Sequence, residues 1–286
     1  MTISGIRPID TPARAGMVRA ATPPEDALMV VVAPSLLAGA LSDGWAHANV
    51  IETLEGFFTP WHGLLYAGFA GSAAWTFWLA YQRRDQAPRW WRDGWPAGYR
   101  LGALGMLLFL VGGLADMVWH ETIGIEVGLE ATFSPSHMLL DVGGVLIVTS
   151  PLRSWWATGR GAIRGIASVT LGAMAATILL THSSAFMTLA PTQPYDGVDG
   201  DASGLEGMPR LVALTGVSSY VITTLLLTVP LLLVLRRRAT LGAATAVTAG
   251  VALFIMVMFE FPAAQARRRD RRGVRRRGRG RASRAS

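Results

Sequence analysis

Seven apolar runs, at about 27–46, 60–81, 101–120, 135–156, 162–187, 209–235 and 239–260, take up most of this 286-residue chain. Each is close to the ~20 residues a helix needs to cross the hydrocarbon core of a bilayer. With 51% hydrophobic and only 16% charged residues, the chain is too apolar for an ordinary water-soluble domain. A backbone in lipid must satisfy its own hydrogen bonds, so the runs are expected to be helices. The expected fold class is therefore all-α, a polytopic membrane helical bundle of about seven transmembrane helices. Residues 1–26 read as a polar, disordered cytoplasmic lead, 27–261 as the transmembrane domain and 262–286 as an arginine-rich disordered tail.

The charges between the runs set the expected orientation. Arg7, Arg14 and Arg19 precede the first run, Arg83, Arg84, Arg89, Arg92 and Arg100 separate the second from the third, Arg153, Arg160 and Arg164 follow the fourth, and Arg236 to Arg238 follow the sixth. The opposite connections hold Glu52, Glu55, Glu121, Glu126, Glu130, Asp196, Asp199, Asp201 and Glu206 against Arg210. The positive-inside bias places the amino terminus in the cytoplasm and the acidic connections outside a plasma membrane. Trp90, Trp91, Trp95, Trp155 and Trp156 among the arginines form an interfacial anchoring belt. Seven crossings would put the basic tail outside; either the last run does not cross, or the tail is a segment drawn to anionic lipid. It has no aromatic residue to stack on bases, so no specific nucleic-acid partner is expected.

Against this apolar background one polar pattern is written twice. Leu41 to His62 contains Asp43 and His47, then Leu-Glu-Gly-Phe-Phe-Thr-Pro-Trp-His; Leu114 to His137 contains Asp116 and His120, then Leu-Glu-Ala-Thr-Phe-Ser-Pro-Ser-His. Four of the five histidines occupy the repeated positions. Four residues along a helix bring two side chains to one face, so each Asp-His pair is a cluster at a helix end. Thr59 or Ser134 then serves as the N-cap of the next helix, with Pro60 or Pro135 in its first turn. Each hairpin thus returns a histidine, His62 or His137, to the level of the pair. These hairpins, 27–82 and 100–157, are read as repeats; 162–236 is a degenerate third copy and 239–260 an added helix. The third keeps His182 and Pro209, but Ile178 stands where an aspartate is expected and Leu211 where a histidine is. The first run could also end as a signal peptide at Ala38-Gly39-Ala40, although Asp43 and His47 stand where an internal span carries Asp116 and His120.

Cysteine is absent, so any metal must be held by nitrogen and oxygen, or by methionine sulfur. Asp43, His47 and His62, with Asp116, His120 and His137, form two 2-His-1-carboxylate sets suited to a transition metal such as copper, iron or zinc. Helix N-termini favour the neutral, ligand-competent ring at His62 and His137. Glu55, Glu130, Asp141 and His182 are candidates for orienting the ligands or moving protons. A structural lock, in which Asp simply accepts from His, remains open, as does a haem held between His62 and His137. The buried carboxylates suit a cationic ion better than a porphyrin edge.

The Asp-x-x-x-His plus later-His arrangement resembles the copper-ligand motif in the membrane subunit of particulate methane and ammonia monooxygenases. That resemblance implies copper on Asp43, His47 and His62, or on Asp116, His120 and His137. The duplicated motif is also similar to that of multi-pass membrane proteins to which it assigns no activity. Two functions follow as expectations. One is a membrane metalloenzyme, oxidoreductase or hydrolase, acting on an apolar or lipid-like small molecule. The other is a metal-ion handling or transport protein.

Overall fold

The computed structural model describes residues 18–50, 56–124, 126, 128–187, 207–237 and 241–261. In order, the helices are α1 (Pro23–Asn49), α2 (Pro60–Tyr81), α3 (Trp90–Asp93), α4 (Arg100–Thr122), α5 (Gly128–Phe133), α6 (Pro135–Val148), α7 (Ser150–Thr158), α8 (Ala162–Leu179), α9 (Gly207–Arg237) and α10 (Ala243–Met258), with a 3-10 turn at Thr181–Ser183. Among the described residues there is no strand. Four helices are long and apolar enough to cross a membrane: Pro23–Asn49, Arg100–Thr122, Ala162–Leu179 and the Leu214–Arg237 part of α9. The surface supports that solvent: Val31, Ile163, Leu232, Leu107 and Val118 face outward, whereas Ser72, Thr76, Ser154, Ser168 and Thr177 are fully buried.

The other three apolar runs are also helical but differ from a simple crossing. α2 is 22 residues long, diluted by glycine, serine and tryptophan. The run expected over 135–156 is two helices, because Thr149 leaves the helical region at φ −90° and ψ 9° and Pro151 opens α7. α10 has 16 residues. α1 begins at Pro23, ahead of residue 27, since Thr22 and Glu25 form a capping box and Glu25 is neutralised by an arginine. The tail and most of the lead lie outside the described residues.

α1 packs on α2, and α4 on α6, as two helical hairpins. Glycine permits the close approach: a Cβ on Gly68 would stand 2.5 Å from Leu36 N, and Cβ atoms on Gly105 and Gly143 would each stand 2.7 Å from the other's carbonyl oxygen. α8 touches α1, α6, α7, α9 and α10. Met29, Leu36, Leu65, Phe109, Ile147 and Phe254 belong to the core that joins the hairpins to α10.

One end of the bundle is tied by buried polar groups. Arg83, fully buried, donates to Glu25 Oε2 at 2.9 Å and to the carbonyls of Arg19, Leu79 and Ala20. Asp26 accepts from Tyr99 Oη and Ser154 Oγ, both at 2.8 Å. α1 therefore joins the loop before α4 and α7 at this end. At ~1.5 Å per residue, the opposite end of α1, with Asp43 and His47, is about 30 Å away.

Candidate metal centre

The two hairpins bring all six repeated residues to one place. Asp43 and His47 come from the last turns of α1, Asp116 and His120 from the last turns of α4, and His62 and His137 from the first turns of α2 and α6. Thr59 and Ser134 are N-caps whose hydroxyls accept from the backbone N–H of His62 and His137 at 3.2 and 3.3 Å. The same hydroxyls lie 3.2 and 2.9 Å from the Nδ1 atoms of those rings. The cap thus starts the helix and also fixes the imidazole, leaving Nε2 aimed at the cluster.

Asp116 is at the middle, 1% exposed. Its Oδ1 lies 3.3 Å from His137 Nε2 and 3.6 Å from His120 Nε2; its Oδ2 lies 3.8 Å from His62 Nε2. Asp43 approaches His62 Nε2 at 3.4 Å and His47 Nε2 at 4.0 Å. The rings of His47 and His120 have centroids 5.6 Å apart, and those of His62 and His120 are 5.4 Å apart. Two groups of side chains have ligand atoms all within 4.8 Å of one another: His47, His62 and His120, and Asp116, His120 and His137. The second is one of the sets expected from sequence. In the first, His120 of the other hairpin stands where Asp43 was expected, so the sets interlock instead of standing apart.

Proximity here is not hydrogen bonding. Both ring nitrogens of His47 and of His120, together with His62 Nε2 and Asp116 Oδ1, are buried without a hydrogen-bond partner among the described atoms. A buried polar atom left unsatisfied costs about 1–3 kcal/mol. Imidazoles and carboxylates that converge at 3.3–4.0 Å and leave their lone pairs unused fit a cation placed among them. The donor set, nitrogen and oxygen only, fits a transition metal.

Sequence reasoning missed Glu126. Buried, its Oε2 lies 3.1 Å from His137 Nδ1. The contact is electrostatic and not a hydrogen bond, since Oε2 has no hydrogen-bond partner among the described residues and Nδ1 is taken by the Ser134 hydroxyl at 2.9 Å. A negative charge this near Nδ1 favours the tautomer that leaves Nε2 as the lone-pair donor. Its only signal was an acidic loop bounded by two site histidines, which Glu121 and Glu130 share. Glu121, by contrast, accepts from Phe57 N at 3.1 Å and pins the first hairpin's loop to α4. Phe57 stacks on His62 with centroids 4.5 Å apart. Glu55 and the side chain of Glu130 lie outside the described residues.

A cavity of about 200 Å³ opens beside the cluster. Asp43, His47, Glu126 and His137 form part of its wall, and Leu36, Leu65, Phe109, Leu140, Ile178 and Met258 supply apolar surface. Asp141, one turn past His137, and His182, on the 3-10 turn, also line it. Neither is in the two convergent groups, so both stand on the chamber wall and not in the cluster. Tyr66, the counterpart of Asp141 in the first hairpin, lies under His62 with its hydroxyl buried and unpartnered. No protein-family model, curated protein or solved structure matches this chain.

Proposed function

We propose that this protein is a membrane metalloenzyme whose nitrogen- and oxygen-ligated centre acts on a small apolar or lipid-like molecule held in the adjoining chamber. The observation that carries this reading is the convergence of the buried imidazole nitrogens of His47, His62 and His120, without hydrogen-bond partners among the described residues, beside the Asp43 and Asp116 carboxylates. A structural lock would close Asp-His hydrogen bonds; among the described residues no aspartate closes one with the ring of His47 or His120. A haem between His62 and His137 would need its porphyrin where Asp116 stands, within 3.8 Å of both Nε2 atoms.

Asp43, Asp116 and the four histidines would hold the metal, and Glu126 would set the tautomer of His137. A bound copper, iron or zinc ion supplies Lewis acidity or redox chemistry, which makes the protein an oxidoreductase or a hydrolase. The chamber's apolar wall binds the substrate and excludes water from one side, and Asp141 offers it a hydrogen-bond acceptor. By the arginine distribution the centre faces out of the cell, with seven crossings built from two full hairpin repeats, a degenerate third and an added helix. Asp141 and His182 on the chamber wall favour a second reading, ion handling, in which they extend the cluster into a path.

Purified full-length protein, stripped with chelator and reloaded in detergent with Cu²⁺, Fe²⁺ or Zn²⁺, is expected to retain metal after gel filtration. His62→Ala and His137→Ala are expected to lose it. Equal, near-zero metal in wild type and variants would sink the metal reading and leave the lock. Uptake of the loaded ion into proteoliposomes would favour ion handling over catalysis.

A further inference from the structure

Asp116 faces two ways. Its Oδ2 is turned to His62 of the first hairpin at 3.8 Å, and its Oδ1 to His137 and His120 of the second at 3.3 and 3.6 Å. Each carboxylate oxygen therefore has its own imidazoles. On the first side the set is completed by Asp43, 3.4 Å from His62 and 4.0 Å from His47. On the second side Glu126 backs His137 at 3.1 Å. The two convergent groups share a single residue, His120.

The number of donors points the same way. Four imidazoles and two carboxylates exceed what one four-coordinate ion uses. They are twice the three protein ligands with which a catalytic zinc site keeps one position open. A ligand set divided by a central carboxylate matches the way two-metal sites place ions about 3.5–4 Å apart.

We propose that the cluster is a dinuclear centre for two divalent first-row cations bridged by the Asp116 carboxylate. One ion lies with Asp43, His47 and His62, and the other with His120 and His137. The proposal rests on the metal reading above and adds its nuclearity and bridge.

The test uses full-length protein in detergent, titrated with Cu²⁺, which binds nitrogen and oxygen sites most tightly among the divalent first-row ions. A His62→Ala/His120→Ala double variant sets the baseline for non-specific copper. Wild type is expected to saturate at two specific Cu²⁺ per chain, with the isolated-ion electron paramagnetic resonance signal lost as the second ion pairs its spin with the first. Asp116→Asn is expected to abolish that spin coupling. Asp43→Asn, which leaves the bridge and the second side intact, is expected to hold one ion with an isolated signal. Saturation of wild type at one ion with an isolated signal overturns the dinuclear inference and leaves the metal reading standing. Two coupled ions in Asp116→Asn overturn the bridge. No copper above the baseline overturns both readings together.

Discussion

At the scale of single residues, the centre is specified by groups that act on the histidines as much as by the histidines. Thr59 and Ser134 each touch both the backbone N–H and the ring Nδ1 of the histidine three positions on. One hydroxyl therefore sets a helix start and a ring orientation together. Glu126 acts differently: its carboxylate stands 3.1 Å from Nδ1 without closing a hydrogen bond, and its charge raises the basicity of Nε2 on a ring that Ser134 aims. Glu126→Gln keeps the volume and loses the charge. It is expected to weaken metal binding about 10–100-fold with little change in the number of ions bound at saturation. Competition with a chelator of known affinity checks this; unchanged affinity would show that Glu126 only closes the loop. Ser134→Ala is expected to lower stability by about 1 kcal/mol through the lost cap, with a smaller loss of affinity than Glu126→Gln. Thermal unfolding in detergent and the same competition separate the two effects.

At the scale of elements, what matters is how closely two helices can be brought together. The Gly105–Gly143 contact sits where α4 and α6 meet, below the pair Asp116 and His137 that those helices deliver to the centre. Gly105→Ala would place its Cβ 2.7 Å from the Gly143 carbonyl oxygen and 2.7 Å from Leu146 Cβ. The helices must part, and the variant is expected to lose about 1–3 kcal/mol in unfolding assays together with part of its metal affinity. Much of this level was legible in the sequence. The Ser/Thr-Pro starts of α2 and α6 and the Asp-x-x-x-His ends of α1 and α4 are local signals, set by capping chemistry and helical period. The break at Thr149 was legible only in part: the run turns polar after Val148, with Thr149, Ser150, Arg153 and Ser154, but a proline at 151 is as compatible with a kinked span as with a new helix. Glu126 was not legible, because its role comes from a contact across a loop that no spacing encodes. The interlocking of the two ligand sets through His120 is tertiary, and a repeat in sequence gives the members of each set without saying which neighbours they share.

At the scale of the whole molecule, the bundle is tied at one end and chemically equipped at the other. Arg83 and Asp26 close the first end with bonds that span α1, α2, the loop before α4 and α7. Arg83→Ala leaves Glu25 with Arg19 and the Thr22 N–H but strips the donor from the carbonyls of Arg19, Leu79 and Ala20, and is expected to destabilise the fold by about 1–3 kcal/mol while leaving copper affinity of the folded fraction unchanged. The centre and the chamber can be separated in a similar way. Gly144 lines the chamber, and a Cβ there would meet nothing nearer than Phe109 Cε2 at 4.0 Å, so a larger side chain grows into open space. Apolar cavities of ~150 Å³ accept a benzene ring, which makes the chamber large enough for a compact apolar molecule and small enough for one side chain to fill. Gly144→Leu is therefore expected to keep wild-type metal content and affinity. It is also expected to lose labelling of α6 and α8 peptides by a short-chain alcohol carrying a photoreactive diazirine, read by mass spectrometry. Turnover of an apolar substrate should fall with the labelling. If Gly144→Leu binds metal normally and is labelled as wild type, the chamber is not the substrate site. The centre must then be served from its exposed side, where His47 and His137 retain part of their surface.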